Sequence, residues 1–310
     1  MAGLMCARRL TNAGFKVLIF DKGRGIGGRI ASRKIEHGLF NHGASSIPDF
    51  QTRFDLPKFT RDLLEQAIKE KILVETKNGF TSFGSMKNFT QYMATDIEIM
   101  TNKELIYFNL NESQFELFFK DDRSTLKHNC KLIFALPQPQ SYALLNHKFP
   151  KIAIRIKSAK MRPSITGLYA FKDPLEPKQS TLENDNIFAQ HENDRAGQNL
   201  QLDCWTVHSK PLYGKSWKQL SKEEIKFKLL EEFKSFQFNN FTDPIYTAGH
   251  RWLYGFGETP LGSNFIYDRN FKIGICGDWC KGDTILDAAI SGTALAEEII
   301  KCTEPNTGIS

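Results

Sequence analysis

The opening residues, MAGLMCARRLTNAGFKVLIFDKGRGIGGR, constrain the fold more than any other stretch of the chain. Residues 3–10 place small and apolar side chains on one side and predict a helix, which residues 12–14 (Asn-Ala-Gly) end. Residues 17–20 then predict a short buried strand that closes on Asp21. A helix followed by a strand ending in an acidic residue is the second half of a dinucleotide-binding unit, so we expect an α/β fold.

The spacing within this stretch agrees with such a unit. In the G-x-G-x-x-G motif the last glycine lies in the first helical turn, and an acid about 20 residues further on binds the adenosine ribose. Gly3 fits that glycine, and Asp21 follows it by 18 residues. The first strand and the two earlier glycines would precede Met1. We therefore expect the reading frame of a working protein to extend upstream.

The residues that follow strengthen this interpretation, because a helix and a strand alone occur in any α/β protein. KGRGIGGRIASRK contains four glycines within six residues, which let the backbone approach an anion closely. On its own, such a loop would favour a flexible surface loop. Directly after Asp21 it favours a phosphate cradle, with arginine forks suited to a pyrophosphate. The predicted cofactor-binding residues of this region are Gly3, Asp21, Lys22, Arg24, Gly27, Gly28 and Arg29.

FDKGRGIGGR resembles the double-glycine motif of flavoproteins of the amine-oxidase superfamily, in particular the renalase-like branch. FNHGASS, at residues 40–46, resembles the F-D-H-G-A segment of that branch, with Asn41 where an aspartate is usual. Similar segments recur to about residue 300: LIFALPQPQ (132–140), DCWTVHSKPLYGKSW (203–217), HRWLYGF (250–256) and GICGDWCKGDTILDAAISG (274–292).

The resemblance implies an FAD-binding Rossmann-like lobe of the glutathione-reductase type and a second α+β substrate lobe built on an antiparallel sheet. Its strand order also implies that the missing first strand lies between the strands at 16–20 and about 131–136. We expect the FAD-binding domain to be discontinuous, over residues 1–45, 85–150 and 268–310. The substrate domain would then comprise residues 46–84 and 151–267.

Hydrophobic periodicity gives a coarse map of the remaining elements. Helices are predicted over 59–71, 85–96, 221–235 and from about 284 to 300. Strands are predicted over 97–100, 105–110, 114–120, 125–130, 131–136 and 271–276. From residue 151 the pattern reads as strands (KIAIRIK, ITGLYAF and NLQLDCWTVHS), with residues 172–199 between them rich in loops.

The C-terminal block predicts a second contact with the cofactor. A Gly277-Asp278 turn follows a strand, and Asp283 or Thr284 is a candidate N-cap for the last helix. One face of that helix is small and apolar, Ala288 included, and would pack under a ligand. Asp278 alone would be read as a turn residue, but the resemblance implies that it accepts a hydrogen bond from the flavin ribityl chain. The resemblance also assigns His42, Gly43, Ala44 and Gly277 to the cofactor site.

His250, Trp252 and Tyr254 alternate along the sequence, so on a strand they would share one face. Such a face is equally expected of an ordinary core strand. With the resemblance, an apolar flat-walled pocket containing one imidazole suits a planar substrate stacked on a flavin. These three residues are the predicted catalytic residues. Hydride transfer requires proximity more than a proton shuttle, so the absence of a recognisable Ser/His/Asp set is no objection.

The sequence therefore predicts an FAD-dependent oxidoreductase that passes a hydride from carbon to flavin N5, with reoxidation by oxygen to hydrogen peroxide. Resemblance to renalases implies a dihydronicotinamide isomer as donor, and the wider superfamily implies an amine. The alternative is a flavin-free or weakly binding remnant that acts as a binding module, because the first strand and two glycines are missing.

Composition excludes several other classes of function. The 41 basic and 35 acidic residues leave a net charge of +6 that is scattered, without the basic tract of a nucleic-acid-binding protein. No apolar run approaches the length of a membrane span and no signal peptide is evident, so we expect a cytoplasmic protein acting on a small molecule. Its oligomeric state is left open.

The six cysteines lack the paired C-x-x-C spacing of zinc sites, so no metal is expected. Cys276 and Cys280 are interpreted as packing residues, with a redox pair as the alternative.

Overall fold

The computed structural model describes residues 1–77, 79–112, 114–120, 130–193 and 200–303, together with the backbone of 122–128. Within these residues the helices are α1 (Ala2–Asn12), α2 (Lys58–Lys69), α3 (Met86–Met93), α4 (Gln138–Leu145), α5 (Pro150–Lys157), α6 (Pro211–Ser216), α7 (Lys222–Lys234) and α8 (Ile285–Lys301).

The strands are short except for two long ones in the second half of the chain. They are β1 (Leu18–Phe20), β2 (Arg33–Ile35), β3 (Gly38–Phe40), β4 (Leu73–Thr76), β5 (Gly79–Ser82), β6 (Glu98–Met100), β7 (Leu105–Asn111), β8 (Gln114–Phe119), β9 (Asp122–His128), β10 (Leu132–Phe134), β11 (Lys160–Phe171), β12 (Ile187–His191), β13 (Asp203–Ser209), β14 (Tyr246–Thr259), β15 (Ile266–Asp268) and β16 (Ile273–Ile275).

The opening helix and strand form where the sequence predicts them, but the prediction that the strand is buried is wrong, since Leu18 is exposed and Ile19 and Phe20 are only partly buried. Helix α1 ends at Asn12, and Gly14 adopts a φ of +84°, a backbone conformation that turns the chain back toward β1 and favours glycine. Strand β1 pairs in parallel with β6. Strand β10 pairs in parallel with β16, and β15 adds an antiparallel edge to that pair.

These two groups of parallel strands are separate sheets, since the described backbone contains no ladder between β1 and β10. Leu18, on β1, is 36% exposed, although side chains of a parallel sheet are ordinarily covered on both faces. The strand that the sequence analysis places between β1 and β10 stays a prediction.

Helices α1 and α8 pack side by side behind the parallel strands. The contact is close because Gly292 of α8 lies against α1, where a Cβ would overlap the Ala2 carbonyl oxygen. Buried small and apolar residues fill the rest of this contact, among them Cys6, Leu10 and Ala296. The N-terminal ends of both helices therefore lie near the carboxyl ends of the parallel strands, where α/β proteins bind their ligands.

The second half of the chain forms an antiparallel sheet in the order β12-β13-β11-β14. Helix α7 covers one face with Ile225, Leu229 and Phe233. The opposite face packs against Phe40 of β3, so that the β2–β3 hairpin joins this sheet to the glycine-rich loop that precedes it.

Two predictions of secondary structure are wrong. KIAIRIK is helix α5, because Pro150 starts the helix and Ile152 and Ile156 occupy one buried side, while Ile154 is 71% exposed. The alternation of isoleucines was therefore misread as a strand. The loop-rich prediction for 172–199 misses β12, whose pairing with β13 is a non-local contact that local composition does not reveal. Residues 194–199 of that range lie outside the described residues.

The other predicted elements are confirmed with shifts of a few residues at their ends. The predicted helices at 59–71, 85–96 and 221–235 correspond to α2, α3 and α7, and the C-terminal helix to α8. The predicted strand at 125–130 corresponds to β9, which begins three residues earlier and ends at His128. Helix α4, which follows Pro137, was not predicted.

Candidate active site

Four segments that are distant in sequence meet beside the N-terminal end of α8. They are the glycine-rich loop (21–29), the F-N-H-G-A segment (40–44), the middle of β14 (250–257) and the turn at 277–284. Direct contacts join them: Gly43 N donates to the Ala31 carbonyl oxygen at 3.1 Å, and Arg29 bonds to both Gly255 and Asp278. The sequence predicts each segment separately, and the fold brings them together.

The two adjacent glycines of the glycine-rich loop, Gly27 and Gly28, have different surroundings. Gly27 has a φ of +107°, and a Cβ there would lie 2.8 Å from a Thr90 side-chain carbon and from the Ile30 carbonyl oxygen. Gly28 has a φ of +59°, and no atom lies within 4 Å of where its Cβ would be. Gly27 is thus needed for packing, whereas Gly28 leaves its backbone open to a ligand.

The open side of this loop borders a surface cavity of about 200 Å³. Its lining residues are Gly25, Ile26, Gly28, Ile30, Ala31, Ser32 and Lys87. Lys87 lies in the first turn of α3, the helix capped by Ser85. A glycine-lined wall and an ammonium group together suit an anion such as a phosphate.

Asp21 closes β1 and turns the chain into the loop. Its Oδ1 accepts a hydrogen bond from Gly23 N at 2.7 Å, and its backbone N donates to the Met100 carbonyl oxygen at 2.9 Å. The other carboxylate oxygen has no hydrogen-bond partner in the part of the chain that the structure describes. The acidic residue therefore lies at the carboxyl end of the strand with an acceptor available, as the sequence predicts.

Arg29 and Asp278 bond to each other in a bidentate pair. Nη1 donates to Asp278 Oδ2 at 2.7 Å, Nη2 donates to Oδ1, and Nη1 also donates to the Gly255 carbonyl oxygen at 3.1 Å. The Asp278 side chain is only 5% exposed, so the guanidinium compensates a buried carboxylate. Two residues predicted separately to contact a cofactor thus form one unit that joins the loop, β14 and the C-terminal turn.

The N-terminal end of α8 is fixed by a capping box. Thr284 is the N-cap, with Oγ1 accepting from Asp287 N at 3.1 Å and Asp287 Oδ2 accepting from Thr284 N at 3.1 Å. Arg53 Nη2 donates to Asp287 Oδ1 at 3.2 Å. Burial, followed by Asp287 and Asp278, raises the pKa of Asp283. Of the two predicted caps, Thr284 is confirmed and Asp283 is not the N-cap.

Asn41 lies in a buried polar cluster with Glu192. Its backbone N and its Nδ2 donate to the two Glu192 carboxylate oxygens, each at 3.1 Å, while its Oδ1 accepts from Ser32 Oγ at 2.7 Å and Met86 N at 3.1 Å. Asn41 is 1% exposed and Glu192 is fully buried. Thr206 Oγ1 also donates to Glu192. This cluster ties the F-N-H-G-A segment to the antiparallel sheet.

Gly43 and Ala44 contact the glycine-rich loop through their backbone. Ala44 N donates to the Arg29 carbonyl oxygen at 2.8 Å, and a Cβ on Gly43 would overlap that same oxygen. The glycine is therefore required for close approach of two protein segments. His42, between this pair and Asn41, instead directs its ring toward β14.

Three rings form a wall where the F-N-H-G-A segment meets β14. The His42 ring lies nearly parallel to Trp252 with 5.7 Å between centroids, and His250 lies 5.1 Å from His42 and 4.2 Å from Trp252. Trp252 Nε1 donates to the His42 carbonyl oxygen at 3.2 Å. Among the described residues no group has hydrogen-bond geometry to the buried Nδ1 of His42. We call this set (His42, His250 and Trp252) the ring wall.

Both imidazoles of the ring wall are held neutral. Burial, then the neighbouring His250 and Arg33, lowers the pKa of His42 from its ordinary 6.5 to about 4. Burial, then Arg33 and Lys222, lowers the pKa of His250 to about 4. Near pH 7 the wall is therefore uncharged and its surroundings are electropositive.

Tyr254 is not brought into the ring wall. The ladder of β11 with β14 is irregular here, since Ser164 lies opposite Trp252 whereas Arg162 lies opposite Phe256. The irregularity interrupts the alternation of side chains just after Trp252. Tyr254 is half-buried and has no ring contact with His250 or Trp252 in the described structure. The structure thus joins two of the three predicted catalytic residues and adds His42, which the sequence analysis placed with the cofactor.

The remaining predicted site residues divide into packing and surface positions. Gly3 would place a Cβ 3.0 Å from that of Ala135, consistent with close helix-strand packing, and Gly277 N donates to Ser291 Oγ at 2.9 Å. Ala288 is buried between α8 and α1. Lys22 lies at the surface, 4.0 Å from Glu104, and Arg24 is exposed.

Sequence reasoning missed Arg33, Glu192 and Tyr246. Arg33 Nη1 lies 3.5 Å from Tyr246 Oη. Tyr246 continues the alternation of His250 and Trp252 backwards along β14, a signal that was available in the sequence. Glu192 gave no signal, because its partner Asn41 is 151 residues away.

Two further features are defined by the described residues. None of their helices has the length and apolar character needed to cross a membrane. They also contain no group of three or more His, Cys, Asp or Glu side chains arranged to hold a metal ion.

Residues 1–63 match the family model of an NAD(P)-binding Rossmann-like domain. The chain is also similar to the solved structure of cyclohexylamine oxidase from Brevibacterium oxydans IH-35A, with a TM-score of 0.66 and 11% identity over 98% of this chain and 97% of that one. A structure of putrescine oxidase bound to putrescine gives a TM-score of 0.61 and 12% identity over 97% of each chain.

The chain has the fold of the flavin amine oxidases. A putative protoporphyrinogen oxidase from Exiguobacterium sp. 255-15 agrees less extensively, with a TM-score of 0.56 and 12% identity over 81% of this chain and 59% of that one. The predicted fold, with a Rossmann-like domain at the start of the chain, is confirmed. The narrower resemblance of this amine-oxidase fold to the renalase-like branch stays a prediction, as do the predicted domain boundaries.

Proposed function

We propose that this protein is an FAD-dependent oxidoreductase that accepts a hydride from a small planar or amine donor. The observation that carries the proposal is the junction of the glycine-rich loop, the Arg29–Asp278 pair and the ring wall at one end of α8. The amine-oxidase fold supports it.

The residues at this junction fit an FAD molecule. Asp21 offers a carboxylate oxygen at the carboxyl end of β1, the position that binds an adenosine ribose. The open Gly28 and the neighbouring cavity with Lys87 suit the pyrophosphate. Asp278, on a turn that leads to the positive end of α8, would accept a hydrogen bond from the ribityl chain.

FAD would supply a two-electron acceptor, taking the hydride at N5 and returning the electrons to oxygen to give hydrogen peroxide. Arg29 orients Asp278 and fixes β14 through the Gly255 carbonyl oxygen, which sets the distance between the cofactor segments and the ring wall. The end of α8 stabilises negative charge that develops nearby.

The ring wall would bind the donor and keep water away from it. Trp252, half-buried and stacked on His42 with 26° between the ring planes, offers an aromatic face that suits a planar group, and both histidines stay neutral near pH 7. A hydride donor held against such a wall needs no proton shuttle, because proximity supplies most of the rate. The donor classes that we propose are a dihydronicotinamide isomer and an amine.

The visible absorbance spectrum of the purified protein is the first test. A bound flavin is expected, and anaerobic addition of dihydronicotinamides and amines in turn should bleach its band for the true donor. Arg29→Ala should release flavin on dialysis, with affinity reduced by about 1.5–3 kcal/mol as a charge-assisted network is lost. The exposed Arg155→Ala, on α5, is the matched control. A colourless protein that does not take up added FAD would overturn the proposal and favour a binding module without catalysis.

A further inference from the structure

Arg33 has no acidic partner among the residues that the structure describes, whereas Arg29, Arg53 and Arg162, which are also partly buried, each lie against a carboxylate. Its side chain is half-buried on β2, and its only hydrogen-bond contact in the described part of the chain is the 3.5 Å approach of Nη1 to Tyr246 Oη. Arg29 and Arg53, with comparable exposure, each bond to a carboxylate. A half-buried guanidinium that no carboxylate occupies keeps its donors available for an anionic ligand.

The fold places Arg33 in line with the ring wall. On the β2–β3 hairpin Arg33 lies directly opposite Phe40, and Phe40 stacks on Tyr246 with 5.7 Å between ring centroids. His42 follows Phe40 by two residues, and Tyr246 precedes His250 and Trp252 at the same alternation on β14. Arg33 and Tyr246 therefore extend the ring wall on its His42 side, because Phe40, opposite Arg33, lies two residues or about 7 Å of extended chain from His42.

Two cationic side chains act on this end of the wall, whereas the buried Glu192 carboxylate is already bonded to Asn41 and Thr206. Arg33 acts on both histidines, Lys222 acts on His250, and no carboxylate contributes to the pKa shift of either ring. The neutral imidazoles cannot balance the guanidinium. A cationic group bound here would meet repulsion, and an anionic group would meet attraction.

We propose that Arg33 is a specificity residue that binds an anionic group, a carboxylate or a phosphate, carried by the electron donor. The planar part of the donor would lie on the ring wall, and its anionic part would reach the guanidinium fork. This inference rests on the proposed function for the identification of the ligand as a donor. Of the two donor classes, it disfavours protonated amines.

The test uses pairs of probes that differ in charge and little else. Nicotinate and nicotinamide share one ring, and phenyl phosphate supplies the alternative anion. Each is titrated into the purified protein, and binding is followed by tryptophan fluorescence, since Trp252 belongs to the wall, and by the flavin spectrum where flavin is present. We expect nicotinate or phenyl phosphate to bind about tenfold more tightly than nicotinamide. If nicotinate binds more tightly, the anionic group of the donor is a carboxylate, and if phenyl phosphate does, it is a phosphate.

Arg33→Gln should abolish this preference. It should weaken the binding of the anionic probe about tenfold and leave the affinity for nicotinamide unchanged. Arg33→Lys should retain part of it and serves as the second variant if Arg33→Gln does not fold. Lys34→Gln, at the exposed neighbouring position, is the matched control and should bind as the parent does.

The outcomes separate this inference from the proposed function. Equal affinity for the charged and uncharged probes, no detectable binding of either anion, or an anion preference that survives Arg33→Gln would each overturn the role of Arg33. Flavin content is measured in parallel and should not depend on Arg33. A protein that prefers anions through Arg33 but holds no flavin would support the anion site and overturn the oxidoreductase.

Discussion

Asn41 shows how one residue adapts a shared segment to this chain. The F-D-H-G-A segment that it resembles has an aspartate there, but Asn41 Nδ2 donates to Glu192 at 3.1 Å, and both side chains are buried. Two carboxylates at this distance would repel each other in a site with little water. The amide supplies a donor toward Glu192 and an acceptor toward Ser32 and Met86, which a carboxylate alone cannot do.

Asn41→Asp should therefore destabilise the protein by about 2–3 kcal/mol near pH 7, because a hydrogen bond is replaced by repulsion. Urea unfolding measures the change, with the exposed Asn239→Asp as control. The introduced carboxyl group and Glu192 would together hold a proton more tightly when folded than when unfolded, so the deficit should shrink as the pH falls. Adding Glu192→Gln to Asn41→Asp should recover part of the loss. An unchanged midpoint for Asn41→Asp would contradict the cluster.

The histidines of the ring wall make stability depend on pH in the opposite sense. Their pKa values are about 4 when folded and about 6.5 when unfolded, so the unfolded chain binds more protons between these values. The free energy of unfolding should reach its full value above about pH 7 and fall as the pH is lowered toward 4. At pH 5 each histidine should account for a decrease of at most about 2 kcal/mol.

Urea unfolding at about pH 7.5 and about pH 5 measures this dependence. His250→Gln should remove the part of the stability decrease at the lower pH that His250 causes, whereas the exposed His147→Gln should leave the decrease unchanged. A parent protein and a His250→Gln variant with the same pH dependence would show that His250 is not held neutral by its surroundings.

At the residue scale the sequence predicts contacts within a motif better than contacts between motifs. Asp21 bonds to Gly23 and Thr284 bonds to Asp287, so both act within a few residues of themselves, and their roles follow from turn and cap chemistry. The bonds of Arg29 with Asp278, and of Asn41 with Glu192, join residues that are 249 and 151 positions apart. No local pattern encodes such pairs, so only the folded chain reveals them.

Among the elements, α7 and α8 offer a comparison because each begins with a capping box. Ser221 caps α7 with Glu224, and Thr284 caps α8 with Asp287. Ser221→Ala and Thr284→Ala should each lower the free energy of unfolding by about 1 kcal/mol, since each leaves one backbone N–H without its partner. Only Thr284→Ala should also weaken flavin binding, because its N-cap position lies six residues after Asp278. Equal flavin affinity for both variants would place the cofactor away from α8.

The bounds of an element were predictable where several local signals agree. They were not predictable where the element forms only by pairing with a strand that is distant in sequence. Helix α8 has a cap, a continuous apolar face and a charged last turn, and its prediction is confirmed to within one residue. Helix α5 was misread because isoleucines that alternate also satisfy half of a helical pattern, and Pro150 was the signal to weigh. Strand β12 depends on β13 for its hydrogen bonds, and the residues of β12 alone do not predict this pairing.

For the molecule as a whole, the site depends on both halves of the chain. The glycine-rich loop and the turn at 277–284 lie beside the parallel strands, whereas the ring wall includes β14 of the antiparallel sheet. The Arg29–Asp278 pair and the Gly255 carbonyl oxygen connect them, and Asn41 with Glu192 forms a second connection. A ligand at this junction would contact every one of these segments, so its binding energy should stabilise the two halves together.

This dependence predicts a single unfolding transition for the flavin-bound protein. Trp279 reports on the parallel strands and Trp205 on the antiparallel sheet, so tryptophan emission, far-ultraviolet circular dichroism and flavin release should change at the same urea concentration.

Free FAD at about 100 times its dissociation constant should add about 2.7 kcal/mol to the free energy of unfolding. Asp278→Asn should remove much of that increment, because the carboxylate acceptor and its charge-assisted bond to Arg29 are both lost, whereas Asp268→Asn on β15 should retain it. Two separate tryptophan transitions, with flavin retained through the first, would mean that one half binds the cofactor alone, and the connection through Arg29 and Asp278 would then have no part in holding it.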